Sequence, residues 1–341
     1  MNAVRLDGGG QDMKIYMAAL FHGRLARAET SASTHTQIIW QARHYPYALE
    51  SFHYMNEQIK RVVRQCDRSI FLDSGAFSAF SQGAVIDRDA YAKEVIKHHT
   101  DTGDGLVHVA SNLDAIAPDG TGAEQSYDNQ VYLRKQGARV QPVHHVRDAD
   151  HWLRRYLDEG YDYIFLGGMV PETAPVLRKW LDHVWTTYLI HSDGTPKVKV
   201  HGFGLTSVDL MFRYPWHSVD STSWVMEAQF GSIYLDVPQW DGTVRDYKIN
   251  FSPRSMRRFK KNSWHYTTLS PGQREVVDRR LAELEAERIK EPVREAYLEM
   301  LTGYKHGFNP RCLAEHYTWR DYANIEYFRR AMKRGRARQR A

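Results

Sequence analysis

Residues 70–80 read IFLDSGAFSAF, from Ile70 to Phe80. Three apolar residues run straight into Asp73-Ser74-Gly75, and then two phenylalanines and small residues take over. An apolar run of this length, closed by a turn-forming Asp-x-Gly, reads as a buried strand and its turn. The carboxylate stands at the mouth of the strand, where any polar residue would have served a turn alone.

The same alternation extends in both directions. Apolar segments that read as strands lie at Lys14–Leu20, Leu106–Ile116, Arg139–Val146, Tyr163–Val170, Lys199–Leu205 and His217–Trp224. Between them lie helix-like stretches such as DRDAYAKEVIKHHTDT and DADHWLRRYLDEG. Strand and helix alternating at this spacing imply parallel βα units. Seven or eight such units over about 220 residues point to a closed (β/α)8 TIM barrel, an α/β fold. No GxGxxG follows the first strand, which argues against a dinucleotide-binding sheet. The eighth strand is poorly marked. Ser232–Phe251 reads as a β-hairpin around Asp241-Gly242. A long charged helix follows, with Ser270-Pro271 at its start, and then a helix with an aromatic face that ends in a basic tail. The expected organisation is a disordered N-terminus over 1–13, the main part of the barrel over 14–229, a hairpin and helical insertion over 230–305, and a closing helix with its basic tail over 306–341.

Composition narrows the classes. The chain has 341 residues, 42% of them hydrophobic, enough for a substantial core. No apolar run approaches the roughly 18–20 residues of a membrane span, so no membrane partner is expected. The N-terminus lacks the apolar core of an export signal, and a cytoplasmic location is expected. Cys66 and Cys312 are the only cysteines, which excludes a disulfide scaffold and any zinc site built on several cysteines. Lys and Arg number 46 against 41 Asp and Glu, a net charge of +5. The excess is concentrated in RSMRRFKK (Arg254, Arg257, Arg258, Lys260, Lys261) and in the tail from Arg329 to Arg340, which contains Arg334 and Arg336. Such clusters suit a nucleic acid.

Chemistry in a barrel gathers at the C-terminal ends of the strands. Asp73, Asp114 and Asp220 all fall at or near proposed strand ends, Gly167-Gly168 ends another, and Gln141 and His144 lie on the fourth strand. Polar residues converging from separate strands make a pocket. The histidine pairs His98-His99 and His144-His145 lack a neighbouring Cys or Glu in ligand spacing and read as ordinary surface or core residues, although His144 competes with Gln141 for a place in the pocket.

Three motifs carry a family resemblance. FLDSGAFSAF resembles the DSGGFQ-type motif of the tRNA-guanine transglycosylases, FLGGMVPE (Phe165–Glu172) their GGLAVGE-type loop, and HGFGLTSVDLMFRYPWHSVDSTSW their segment leading to a nucleophilic aspartate. Order and spacing agree over about residues 68 to 225. The resemblance implies Asp220 as nucleophile and Asp73 as acid/base, because breaking and remaking a C1′–N bond needs both roles. It implies that Asp114 reads the N1/N2 edge of a guanine-type base, with Ser74, Gln141 or His144, Gly167, Gly168 and Met169 around that base. It implies no cofactor and no catalytic metal. The zinc subdomain of the bacterial tRNA enzymes is replaced here by the charged helix around Gln273–Arg294, and STSWVMEAQ follows the nucleophile in place of a CVMPTR-like run. These departures resemble the branch that inserts 7-deazaguanines, such as 7-cyano-7-deazaguanine, into DNA. The expected partners are therefore DNA and a 7-deazaguanine base, with tRNA as the rival polymer and a nucleoside or glycoside hydrolase as the rival reaction; a homo-oligomer is compatible with all of them. Phe77, Trp216, Trp224 and Trp240 are candidates to stack on bases.

Overall fold

The computed structural model describes residues 13–22, 45, 47–117, 121–170, 172–205, 207–255, 263–289 and 307–340. The chain divides into two compact units, residues 1–222 with 332–341, and residues 223–331. The division falls at 222/223, where the sequence reading placed it at 229/230. Most of the expected closing segment, 306–331, belongs to the second unit. The N-terminal stretch expected to be disordered lies outside the described residues up to position 12, and Met13 is buried.

The first unit is an α/β fold built on one eight-stranded sheet. Its strands are β1 (Lys14–Ala18), β2 (Ala48–Ser51), β3 (Ile70–Asp73), β4 (Val107–Ala110), β5 (Val143–His145), β6 (Tyr163–Gly167), β7 (Lys199–Gly202) and β8 (Ser218–Ser221). They are hydrogen-bonded in the order β4-β3-β2-β1-β8-β7-β6-β5, all parallel. The two outer strands meet through a parallel bridge between Ser111 and Gln141. There Asn112 N–H donates to Gln141 O at 2.8 Å and Gln141 N–H to Ala110 O at 2.9 Å. The eight-stranded parallel sheet is curled, and this bridge lies just beyond the ends of β4 and β5. Seven strands lie where the apolar segments predicted them, and the missing eighth is β2, inserted between the first two.

Side chains alternate across each strand. One face gathers Tyr16, Ala18, Leu49, Phe71, Val143, Tyr163 and Phe165 into a buried cluster, with Tyr47, Val109 and Phe203 against it. The other face is equally apolar, and Val219, Ile164 and Val200 on it are fully buried. Burial on both faces is the condition under which parallel strands are stable. Helices follow the strands: α1 (Glu57–Gln65), α2 (Ala76–Ser81), α3 (Arg88–His98), α4 (Ala123–Lys135), α5 (Asp150–Asp158), α6 (Ala174–Val184) and α7 (Val208–Arg213). Asn56 caps α1 by accepting from Ile59 N–H at 3.0 Å, and Asp87 caps α3 through Ala90 N–H at 2.7 Å. Within the inner cluster the rings of Tyr163 and Phe165 meet edge to face at 4.8 Å. Emptying such a position, as in Phe71→Ala, costs about 3–5 kcal/mol.

The second unit contains α8 (Ser223–Gln229), the antiparallel hairpin β9 (Ser232–Pro238) and β10 (Val244–Asn250), β11 (Ser263–His265), α9 (Pro271–Ile289), α10 (Pro310–Glu315) and the first part of α11 (Tyr317–Arg340). The hairpin turns at Asp241-Gly242, where Gly242 takes a φ of +78°. Asp236 on β9 is buried and receives Arg330 through Nε at 3.0 Å and Nη2 at 2.8 Å. No helix among the described residues is long and apolar enough to cross a membrane.

Candidate active site

The C-terminal ends of the strands in the first unit collect the polar residues. Asp73 is the last residue of β3. Its Oδ2 accepts Gly75 N–H at 2.9 Å, closing an Asx turn, and its Oδ1 accepts the Ser111 hydroxyl at 3.4 Å. Gly75 is held at φ +81°, and a Cβ there would lie 2.3 Å from Ser51 Oγ and 2.6 Å from His53 Cβ. Only glycine makes this turn, which explains the second half of the motif. Burial, followed by the charges of Asp114 and Asp220, raises the Asp73 pKa to about 7, against the smaller pull of the Gly75 and Ser111 hydrogen bonds. Three carboxylates, at the end of β3, in the loop after β4 and on β8, thus share one electrostatic neighbourhood.

Asp114 lies in the loop after β4. Its Oδ1 accepts the Ser74 hydroxyl at 3.2 Å, and its Oδ2 faces His145 Nε2 at 2.8 Å. Burial opposes a charge on His145, but the Asp114 hydrogen bond and charge outweigh it, and the His145 pKa lies above the ordinary histidine value. His145 was read from sequence as an ordinary residue; the structure places it in the site. His144, the candidate named instead, points to the opposite face. It is fully buried, with its ring 6.2 Å from that of Trp180 on α6. The reason is parity: Val143 enters the inner cluster, so His145 faces inward and His144 outward. Gln141 contributes its backbone to the bridge with Ser111, and among the described residues its side chain joins none of the hydrogen bonds around Asp114.

Gly167 and Gly168 were expected to admit a flat ligand. The structure gives the first of these spaces to protein: a Cβ on Gly167 would stand 2.7 Å from His145 Cδ2. Gly168, at φ +69°, lies beside His145 Cβ. The glycine pair makes room for the histidine. Met169 is buried, and its Cε lies 3.4 Å from where a Gly202 Cβ would be, so it supports the strand end from behind.

Asp220 lies on β8 and is 6% exposed. Its Oδ1 accepts Gly204 N–H at 2.9 Å and faces His201 Nε2 at 3.2 Å. His201 Nδ1 lies 2.6 Å from Ser218 Oγ, which in turn lies 2.5 Å from the Tyr163 hydroxyl. The imidazole is enclosed by the rings of Phe71, Phe165 and Phe203 at 4.6, 5.2 and 4.8 Å. Burial lowers its pKa, although Asp220 pulls the other way. Neither His201 nor Ser218 was singled out from sequence. The inward parity of His201 with Phe203 was the available signal.

Of the other candidates, Trp216 and Trp224 are core residues, 1% and 0% exposed, while Phe77 and Trp240 are exposed. Arg254 is exposed and Arg334 half-buried. Arg257, Arg258, Lys260 and Lys261 lie outside the described residues, and Arg336 falls where the backbone alone is described. No group of three or more His, Cys, Asp or Glu among the described residues is arranged to hold a metal ion.

No protein-family model and no curated protein matches the chain. Among solved structures, it is similar to an N-terminally His-tagged D-allulose 3-epimerase from Methylomonas sp. with additional C-terminal residues. The identity is 14%, over 63% of this chain and 85% of that one, with a TM-score of 0.28. A superposition at that score carries no argument about activity.

Proposed function

We propose that the chain is a transglycosylase that exchanges guanine in DNA for a 7-deazaguanine base, on a closed (β/α)8 barrel. The observation that carries this reading is the differentiation of two carboxylates at one sheet mouth. Asp73, near neutrality at about 7, can give and take a proton at physiological pH. Asp220, gripped by Gly204 N–H and His201, is suited to act as an anchored nucleophile. Two carboxyl groups in such different surroundings can serve as acid/base and nucleophile in glycosyl transfer. The Ser111–Gln141 bridge supports closure of the barrel.

In this mechanism Asp220 attacks C1′ while Asp73 protonates the departing guanine. The C1′–N9 bond breaks and an ester to Asp220 forms. The incoming base then gives its proton to Asp73, its nitrogen attacks C1′, and the ester opens. Asp114, already oriented by Ser74 and His145, has lone pairs left to accept the N1–H and N2–H of a guanine-type edge. His145 holds that carboxylate in place through Nε2. In duplex DNA the nucleotide must leave the stack to reach this mouth.

The test is mass spectrometry of nucleosides after the protein is incubated with isotope-labelled 7-cyano-7-deazaguanine and duplex DNA, single-stranded DNA or tRNA. Label in deoxynucleosides is the expected result. Label in tRNA alone would change the polymer, and guanine release without incorporation would make the chain a hydrolase. Neither label nor release, from any polymer, overturns the reading.

A further inference from the structure

We infer that Oδ2 of Asp220 is the attacking oxygen, and that His201, oriented through Ser218 and Tyr163, is the positioning residue that makes it so. The inference rests on the transglycosylase reading above and adds to it the direction of the nucleophile and the residues that set it.

The two oxygens of Asp220 are treated unequally. Both N–H donors, from Gly204 and His201, converge on Oδ1. Among the described residues no donor reaches Oδ2. A lone pair engaged by two N–H groups is a poor nucleophile, so attack falls to the other oxygen. Gly204 reaches Oδ1 from the turn after β7, where its φ of +63° aims the amide. His201 reaches it from β7 itself, one strand away from β8.

The proton order along the chain of groups is determined. Oδ1 of Asp220 already accepts the Gly204 N–H and faces His201 as an acceptor, so His201 Nε2 carries the hydrogen. A neutral ring then has its lone pair on Nδ1, which accepts the Ser218 hydroxyl hydrogen, and Ser218 Oγ accepts from the Tyr163 hydroxyl. His201 and Ser218 are wholly buried and Tyr163 is 6% exposed, so water does not compete for these bonds. An imidazolium at this place would aim Nδ1–H at Ser218 Oγ and leave the Ser218 hydroxyl hydrogen without its ring acceptor. The network therefore selects one tautomer.

The consequence is kinetic and asymmetric. In the sugar ester, Oδ2 is bonded to C1′ and Oδ1 is the carbonyl oxygen. When the incoming base attacks C1′, the C1′–Oδ2 bond breaks and its electron pair returns to the carboxylate. The two N–H groups on Oδ1 take up that charge as it develops. Losing His201 should therefore slow opening of the ester more than its formation, and the covalent adduct should accumulate.

The experiment uses the full chain, a guanine-containing duplex oligonucleotide and radiolabelled guanine as incoming base. Adduct formation and opening are followed separately in single turnovers. His201→Phe should open the adduct about 10²-fold more slowly, and Ser218→Ala about tenfold more slowly, with the dissociation constant for the oligonucleotide unchanged in both and its KM lowered as the adduct accumulates. Histidine-selective 15N NMR of the wild type at neutral pH should show His201 protonated on Nε2 only. Ser218→Ala should bring in the second tautomer. Wild-type opening rates in both variants, while Asp220→Asn forms no adduct, would overturn the role of His201 and leave the nucleophile standing. An adduct on Asp220→Asn would remove Asp220 as the nucleophile and with it this inference, whereas a wild-type protein that forms no adduct and exchanges no base would overturn the transglycosylase reading itself. A wild-type His201 protonated on Nδ1 would overturn the inference whatever the variants do, including a His201→Phe that fails to fold.

Discussion

Replacing Asp73 by Asn should make the protein more stable at pH 8 and inactive. The unfolded chain releases the Asp73 proton near 3.8, whereas the folded chain keeps it to about 7. Between those values the folded state binds more protons than the unfolded state, so this group's contribution to stability falls as pH rises. A shift of about 3 units at 1.36 kcal/mol each gives a cost of about 4 kcal/mol above pH 7. Asp73 is half-buried at the mouth, and access of water reduces the figure to about 2–4 kcal/mol. Asn keeps the geometry: its carbonyl oxygen can accept Gly75 N–H, and its amide can face Ser111 Oγ. What it removes is the buried charge.

The gain for Asp73→Asn should be close to zero below about pH 4, rise through the interval from 4 to 7, and level off above it. Urea unfolding of both proteins at several pH values across that interval measures it. The charges of Asp114 and Asp220 cause part of the shift, so the gain should shrink in an Asp220→Asn background, a non-additivity expected of coupled neighbours. Base exchange should fall by at least about 10²-fold, because an amide cannot shuttle the proton. An Asp73→Asn protein no more stable than wild type at pH 8, or a gain that does not depend on pH, would refute the reasoning.

Two other substitutions test separate parts of the site. Gly167→Ala would place a methyl group 2.7 Å from His145 Cδ2 and should push the ring off Asp114, weakening guanine binding about tenfold in isothermal titration while kcat falls less; unchanged affinity would show that His145 does not help to hold the base. Neutralising Arg334, Arg336, Arg338 and Arg340 should flatten the salt dependence of DNA binding by up to about three to four in the log–log slope without changing which base is inserted. Wild-type affinity at every salt concentration would remove the tail from the interface.

The readable parts of this chain were those in which a feature and its cause lie within a few residues. IFLDSG shows its strand, its turn and its carboxylate together, since the Asp73–Gly75 hydrogen bond spans two positions. β2 was missed because ALES carries one large apolar residue and a glutamate. Glu50 is nonetheless fully buried, for its Oε1 accepts Phe21 N–H at 2.7 Å and its Oε2 faces His22 Nδ1 at 2.7 Å, nearly thirty positions back. A buried strand built around such a partner does not look apolar. The choice between His144 and His145 was equally closed to inspection. The two are adjacent, and the choice follows from the register that places Val143 opposite Phe165 and His145 opposite Gly167. A glycine paired with a histidine across two strands was the signal, visible only once the pairing was known.

The two catalytic candidates show the same division in their chemistry. Asp73 and Asp220 are one residue type at one mouth, and each receives a backbone N–H from a glycine at positive φ, Gly75 at +81° and Gly204 at +63°. A left-handed residue can aim an amide at a carboxylate, and glycine adopts that conformation without strain. What separates the pair is the second donor. Asp73 has a serine hydroxyl at 3.4 Å, too long to offset burial beside two other carboxylates, and its pKa climbs to about 7. Asp220 has His201, held in place by Ser218 and walled in by three phenylalanines. Exchanging the surroundings should exchange the roles. A donor added within reach of Asp73 Oδ1 would lower its pKa and move the acidic limb of the exchange profile to lower pH, and removal of His201 would leave that limb where it is while slowing ester opening. The pH profiles of those two variants, measured side by side, distinguish an acid/base from a nucleophile without reference to sequence.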